Sequence, residues 1–275
     1  MNKLVWGAIG VALLTACSGK KTGQSVAMND SDSLKVEKDS LLLSGEKEYK
    51  AVYSHADNLF DDFLYAFTTD KKFQKQRIHF PITVTDNGKK GLLQATDWHP
   101  EKYFPKTNTY IVLYNDKRHY SIEKDTSLTK AALQWIYTKK RQVMTFNFQK
   151  ANRCWMLHDI DIRPFKADKN GDFLNFYARF TADSIYQSRS VKEPLTFLTT
   201  ETSSNSAIEG VLAVEQWFAF KPYLPHPDFA NILYGQPYTD RRWKVMVIKG
   251  ASTSSRCVLT FHKTGKKWML VKYEN

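Results

Sequence analysis

The chain has 275 residues, including 7 Trp, 14 Tyr and 17 Phe, and its 40 Lys and Arg against 28 Asp and Glu give a formal charge of +12. The positive residues come in short runs at expected turns, where solvation explains them; attraction to anionic lipid, lipopolysaccharide or acidic glycan is the alternative. Paired Cys/His spacings, HExxH, GxSxG and a glycine-rich phosphate loop are absent, which excludes the metal and enzyme classes that those motifs mark, and we expect no cofactor.

The N-terminus has the pattern of a lipoprotein signal peptide. MNK is followed by thirteen uncharged residues from Leu4 to Ala16, too few to span a bilayer but typical of the apolar part of a secretory signal. The sequence LTAC, which ends at Cys17, resembles the lipobox of bacterial lipoproteins. That resemblance implies removal of residues 1–16 and acylation of Cys17, and more than one acyl chain makes a stable membrane anchor. A secreted, anchored chain argues against a nucleic-acid partner.

Residues 17–49 are mostly polar, which predicts a flexible tether after the lipidated cysteine. Ser18 replaces the Asp that retains lipoproteins at the inner membrane, and the following residues lack an acidic export cluster. By resemblance, we expect an outer-membrane protein that faces the periplasm. Ser33 and Ser40 lie in Asp-Ser-Leu triplets that resemble Bacteroidetes O-glycosylation sites, although ordinary tether composition is the favoured explanation of such short matches.

One stretch of the chain occurs twice. Residues 67–83 align with residues 180–196 at an offset of 113 (180 − 67), and six of the seventeen positions are identical. The WML triplets at 155 and 268 keep the same offset. Internal repetition at this length predicts two copies of one domain, residues 50–165 and residues 166–275.

Each copy begins with a predicted pair of helices. Apolar residues recur at helical spacing in both copies: Phe60, Phe63, Leu64 and Phe67, then Phe173, Phe176, Tyr177 and Phe180. Asp70 and Asp183 follow and are suited to cap the start of a second, short helix. Pro81 and Pro194 are expected to end that helix and let the chain continue in an extended conformation.

The remainder of each copy reads as strands. In the first copy the expected extended segments are the stretch to Thr85, Leu92 to Trp98, Tyr110 to Tyr114, Leu133 to Tyr137, Val143 to Phe148 and Trp155 to Ile162. Helices followed by a curved antiparallel sheet define an α+β cone. The order resembles the cystatin-like, nuclear-transport-factor-like (NTF2-like) superfamily. With the lipobox and the FTxDxx(F/Y)Q phrase, the chain resembles an uncharacterised Bacteroidetes lipoprotein family with tandem domains of this fold.

Aromatic residues carry the main functional prediction. Trp98 and Tyr114 recur as Trp217 and Tyr234 in the second copy. Residues shared between copies often form a common core. The alternative is a pocket walled by aromatics, suited to an apolar small molecule, a glycan or a peptide. We therefore favour a non-enzymatic binding or interaction module, without a metal and with its oligomeric state left open.

The competing hypothesis is an envelope enzyme with an acid/base site in one cone. Enzymes of the resembling superfamily use His/Asp or Asp/Tyr pairs. The first candidates are His158, Asp159 and Asp161 in the segment WMLHDIDI, with Tyr114. Strand alternation predicts that Asp159 and Asp161 share a face with Trp155, while His158 points to the other face and cannot pair with them.

Two further cysteines occupy non-equivalent places in the two copies. Cys154 precedes the closing Trp of the first copy, and Cys257 precedes VLTF in the second. We favour free thiols, and a disulfide between the copies is the alternative, which requires Cα atoms within about 7 Å.

Overall fold

The computed structural model describes residues 55–200, 206–250 and 255–275. The predicted signal peptide, Cys17 and the tether with Ser33 and Ser40 lie outside these residues. The described residues belong to one compact unit, Tyr53–Asn275. Within the described ranges, no helix has the length and apolar character needed to cross a membrane.

The first half of the unit runs from α1 to β6. Its elements are α1 (Phe60–Thr69), α2 (Lys71–Gln76), β1 (Ile78–Asp86), β2 (Lys89–Leu93), α3 (Pro100–Tyr103), β3 (Thr109–Tyr114), β4 (Lys130–Tyr137), β5 (Gln142–Ala151) and β6 (Cys154–Pro164). Short 3-10 turns at Ala95–Asp97 and Lys117–Lys124 join some of them.

The second half repeats this order from α4 to β12. Its elements are α4 (Gly171–Ala182), α5 (Ser184–Ser188), β7 (Val191–Thr200), β8 (Ala207–Leu212), α6 (Val214–Phe220), β9 (Asp228–Leu233), β10 (Trp243–Gly250), β11 (Arg256–Thr264) and β12 (Lys267–Glu274). The 3-10 turn Phe165–Ala167 connects the two halves.

The repeated phrase builds the junction between the two helices of each half. Asp70 Oδ1 accepts from the backbone N-H of Lys72 at 2.7 Å, and Asp183 Oδ1 accepts from that of Tyr186 at 2.9 Å. These contacts confirm both as N-caps. The buried glutamines four residues later bond to carbonyls at the C-terminal ends of α1 and α4: Gln74 to Phe67 at 2.9 Å and Gln187 to Phe180 at 2.7 Å.

The prolines of the phrase lie inside strands rather than at the helix ends, so that prediction was wrong. α2 ends at Gln76, and Pro81 lies within β1. The pairing of β1 with β6 shifts register between Ile78 and Thr83, so the missing N-H of Pro81 falls in a gap of the ladder. Pro194 lies in the matching gap of β7. The expected extended segment at 92–98 was also too long, because β2 ends at Leu93 and a 3-10 turn follows.

The twelve strands of the described ranges form one sheet. Their order is β2-β1-β6-β5-β4-β9-β3-β10-β11-β12-β7-β8. Read from either edge, the order runs through equivalent strands of the two halves, but the two central strands have changed places. β9 of the second half pairs with β4 of the first, and β3 of the first half pairs with β10 of the second.

The helix pairs cover opposite faces of this sheet. On β9, Phe229 packs against Tyr177 of α4 with ring centroids 5.6 Å apart, whereas its neighbour Ala230 lines a cavity beneath α1. Adjacent residues of a strand point to opposite faces. Ile111 and Leu113 of β3 belong to the core under α4. Each helix pair therefore packs on a surface that includes a strand from the other half of the chain.

Candidate functional site

A cavity of about 550 Å³ lies between α1, the loop before β3 and the central strands. Its volume is within the range of small-molecule sites. The wall combines apolar and polar side chains: Asp61, Asp62, Leu64, Tyr65, Thr68, Thr69, Phe104, Pro105, Lys106, Thr107, Asn108, Tyr110, Leu133, Trp135, Ala230 and Ile232. Ala230 and Ile232 come from the second half, so the exchange of β9 supplies part of the wall.

The inner wall is apolar and well packed. Leu133 and Trp135 of β4 are each 4% exposed, and Ile232 of β9 is 2% exposed. The indole Nε1 of Trp135 is buried and has no hydrogen-bond partner among the described residues.

A carboxyl group lies at the cavity wall in contact with a buried tyrosine. The hydroxyl of Tyr234 donates to Oδ1 of Asp61. Burial raises the pKa of Asp61, and the hydrogen bond from Tyr234 opposes that rise. Burial, followed by the charge of Asp61, raises the pKa of Tyr234 well above its usual value and raises that of Tyr110 as well. Both tyrosines therefore stay protonated, and Asp61 holds its proton to higher pH than an exposed aspartate.

Lys249, whose charge acts on Asp61, is already paired with a carboxylate. Nζ of Lys249 lies 2.5 Å from Oε2 of Glu123 and 5.8 Å from the centroid of the Tyr110 ring. Across residues 55–200, 206–250 and 255–275, neither Asp61 nor Asp62 forms an ion pair. The cavity thus carries two carboxyl groups whose charge the protein does not neutralise by direct contact.

The second half differs at the equivalent places. At the offset of 113, Asp61 corresponds to Leu174, which is 1% exposed in the second core. Leu64 corresponds to the larger Tyr177, which contacts Phe229. Both Leu174 and Tyr177 are buried in the core of the second half. An aspartate where the other copy has a buried leucine is the sequence signal that could have identified Asp61.

The residues predicted to wall a pocket are buried elsewhere in the cores. Nε1 of Trp98 donates to Gln74 at 2.9 Å, and Trp217 packs against Tyr273 with ring centroids 5.8 Å apart. Tyr114 lies 4.9 Å from the ring of Tyr120. Tyr234 is the member of the set that is bonded to a residue of the cavity wall. The cavity wall itself is made by other residues.

The predicted separation of His158 from its aspartate neighbours was wrong. Nδ1 of His158 lies 2.7 Å from Oδ2 of Asp159. The pairing of β5 with β6 shifts register at this point, so one residue is inserted in β6. Such a bulge interrupts strict alternation and allows consecutive side chains to meet. For the same reason Ile160, rather than Asp159 or Asp161, is buried with Leu157.

The resulting His-Asp pair lies at a separate, shallower cleft. Nδ2 of Asn147 donates to Oδ1 of Asp159 at 2.6 Å, and these residues line a space of about 350 Å³. The His158 side chain is 63% exposed. Asp161 is bonded to Arg163 instead. The pair is hydrogen-bonded but solvated, and Asp161 does not take part in it.

The thiols of Cys154 and Cys257 are free. Cys154 is half-buried and Cys257 is buried. Burial raises the pKa of the Cys257 thiol to about 11. The favoured prediction of free thiols is therefore confirmed, and Cys257 is an unreactive core residue.

The helices packed on a curved, mostly antiparallel sheet define the class of fold, which is α+β and NTF2-like. The structure is similar to the crystal structure of an NTF2-like protein from Bacteroides fragilis NCTC 9343, with a TM-score of 0.74 and 36% sequence identity. The match covers 80% of this chain and 96% of that chain. The fold predicted from the helix and strand order is thereby confirmed at the level of the NTF2-like class.

The chain belongs to the family described as Domain of unknown function (DUF4348), whose family model matches residues 42–275. No curated protein matches the chain. The family carries no assigned activity, so the function has to be argued from the site.

Proposed function

We propose that this protein is a ligand-binding module that holds a small, largely apolar molecule in the cavity under α1. The observation that carries the proposal is the cavity of about 550 Å³, which has a buried apolar inner wall and a carboxyl group, Asp61, that bonds to Tyr234. Sites of this kind bury most of a small ligand and orient it through a few polar groups. The buried Leu174 and Tyr177 at the equivalent positions of the second half argue that the cavity is not required by the fold.

A polarity-sensitive dye tests this proposal. The neutral naphthalene ketone prodan should bind the protein with a blue-shifted emission, because its rings leave water for an apolar cavity. Thr68 is exposed at the cavity rim, and its hydroxyl bonds back to the Leu64 carbonyl at 2.8 Å. Thr68→Trp should fill the opening and weaken prodan binding by about tenfold or more.

A matched control is available in the second half. Thr181 is equivalent to Thr68 at the offset of 113, and its hydroxyl bonds to the Tyr177 carbonyl at 3.1 Å. Thr181→Trp should leave the dye affinity unchanged. Binding that is absent in the wild-type protein, or equal loss in both variants, would contradict the proposal.

A second candidate function is acid/base catalysis in the same cavity. The observation that favours it is the Asp61–Tyr234 pair, in which a carboxyl with a raised pKa touches a protonated hydroxyl. Such pairs can move a proton next to a carbonyl group. The test is deuterium exchange at the carbons flanking the carbonyl of 2-tetralone, followed by NMR in deuterated water. Exchange that is no faster with wild-type protein than with Asp61→Asn rejects this function.

We further propose that the chain is a cell-envelope protein anchored through lipidated Cys17 at the outer membrane, facing the periplasm. The lipobox-like LTAC and the apolar residues before it support the anchor, with residues 17–49 as a tether. Mass spectrometry of the mature N-terminus should find acyl groups, and Cys17→Ser should abolish them. The same spectra would detect glycans on Ser33 and Ser40.

We also propose that residues 50–165 and 166–275 are tandem copies of one domain. The repeated helix phrase and the strand order, which is the same from both edges of the sheet, support a duplication. The exchange of β3 and β9 would then have followed the duplication and joined the copies into one unit.

A further inference from the structure

We propose that the cavity under α1 selects ligands that carry a protonated amine on an apolar body. This inference rests on the proposed binding function and names its ligand class. Asp61 and Asp62 both line the cavity, while the formal charge of the whole chain is +12. Negative charge is thus placed at the binding site of a basic protein, which favours a cationic ligand there.

Stabilisation of the start of α1 does not fully explain why Asp61 and Asp62 are acidic. Acidic residues in the first turn stabilise an α-helix, and both belong to the first turn of α1. In α4 that role is filled by Asp172, whose carboxylate is paired with Lys263 at 2.6 Å and accepts from Trp268 at 2.8 Å. Burial would raise the pKa of Asp172, but these hydrogen bonds lower it overall. Asp61 has no paired cation of this kind in the part of the chain that the structure describes. The equivalent position in the second half is occupied by Leu174, so the fold does not require an acidic residue there.

The rest of the wall suits an amine with an apolar body. Tyr65, Phe104, Tyr110 and Trp135 place four aromatic rings at the cavity, and aromatic faces attract ammonium groups. Lys106 also lines the cavity, so an apolar acid is the opposite outcome that the test must separate.

The charge environment of Asp61 predicts how binding depends on pH. Burial raises its pKa; Tyr234 and Lys249 lower it, and Glu123 and Asp62 raise it further. Tyr110, on β3, stays protonated, as its raised pKa requires. A bound ammonium would favour the ionised carboxylate, so amine affinity should rise with pH as Asp61 loses its proton and remain steady above that range.

The experiment compares two fluorescent ligands of nearly equal shape. The amine is 1-naphthylmethylamine and the neutral control is 1-naphthalenemethanol, each titrated into the protein while the naphthalene emission is recorded. At about pH 8 the amine should bind about tenfold more tightly than the alcohol, and this advantage should shrink as the pH is lowered and Asp61 gains a proton. Raised salt should weaken the amine more than the alcohol.

Two variants locate the selectivity. Asp61→Asn should reduce the advantage of the amine to about threefold or less while the alcohol binds as before. Asp61→Leu, which copies Leu174 of the second half, gives the same readout if the amide variant folds poorly. Asp172→Asn, in the first turn of α4, is the matched control and should keep the full advantage.

The outcomes separate the two proposals. Equal binding of amine and alcohol, tighter binding of 1-naphthoic acid, or unchanged selectivity in both Asp61 variants overturns the amine inference and leaves the binding function standing. Binding of none of these ligands, together with no binding of prodan, rejects the binding function itself.

Discussion

Lys244→Met should stabilise this protein at neutral and acidic pH and destabilise it at alkaline pH. Lys244 lies on β10 and is 1% exposed. Its amine donates to Oδ1 of Asn115 at 3.2 Å and lies 3.9 Å from the centroid of the Tyr238 ring. Burial lowers the pKa of Lys244 to about 7, although the charges of Asp168 and Asp240 oppose that effect. A folded protein that holds this amine charged does so at a cost in free energy.

The magnitude follows from the difference between the pKa of Lys244 in the folded chain and its pKa in the unfolded chain. A lowering of the pKa of Lys244 from 10.5 to about 7 corresponds to about 5 kcal/mol, at about 1.4 kcal/mol for each pH unit. Between these values the unfolded chain holds a proton that the folded chain releases, so wild-type stability rises with pH. Below about pH 7 both states are protonated and the full cost applies.

Methionine removes that cost but leaves Oδ1 of Asn115 without its donor, which destabilises by about 1–3 kcal/mol. The variant should therefore be about 2–4 kcal/mol more stable than wild type at about pH 6, and about 1–3 kcal/mol less stable at about pH 10.5. The difference in the free energy of unfolding between variant and wild type therefore changes sign between about pH 7 and pH 10.5.

Urea unfolding of both proteins at several pH values measures the difference directly. Lys192→Met, at an exposed position of β7, is the control and should show no change of sign. A Lys244→Met protein that is less stable at about pH 6, or a difference that is the same at every pH, would refute the assignment of a buried, strained charge.

Further predictions concern the halves, the thiols and the site. Residues 50–165 expressed alone should lack a cooperative unfolding transition, because β9 is needed beside β4; a sharp transition by circular dichroism would contradict this. Cys154 should react with a maleimide at least about tenfold faster than Cys257, whose thiol pKa is raised; equal rates in the folded protein would argue against its burial. Asp61→Leu should change the free energy of unfolding by less than about 2 kcal/mol, since leucine burial offsets the lost partner of Tyr234; a larger loss in urea unfolding would show a structural role for Asp61.

The helices could be predicted because their signals are local. The apolar spacing of Phe60, Phe63 and Phe67 and the cap at Asp70 depend only on neighbouring residues, and the structure confirms them. The exchange of β3 and β9 is not local. β3 and β9 would each show the same alternation of apolar and polar residues whether they paired within their own half or with the other half. The sequence pattern therefore does not determine which strand each one pairs with.

The details of the site were lost for a related reason. Strict alternation separates His158 from Asp159, and a single inserted residue in β6 reverses that relation. A bulge depends on how two distant strands align, which no local pattern reports. Asp61 lies in the first turn of a helix, where acidic residues are common because they stabilise the helix dipole. Its position alone therefore does not mark it as a functional residue.

The exchange of strands makes the candidate site a property of the whole unit. Ala230 and Ile232 of β9 form part of the cavity wall, and Tyr234, just beyond β9, bonds to Asp61 of α1. A change in the second half that displaces β9 would therefore remove the wall and the tyrosine together, even though α1 stayed in place. The second core, closed by Leu174, holds β9 from its other face through the contact of Phe229 with Tyr177. We infer that the second half supports the site in the first.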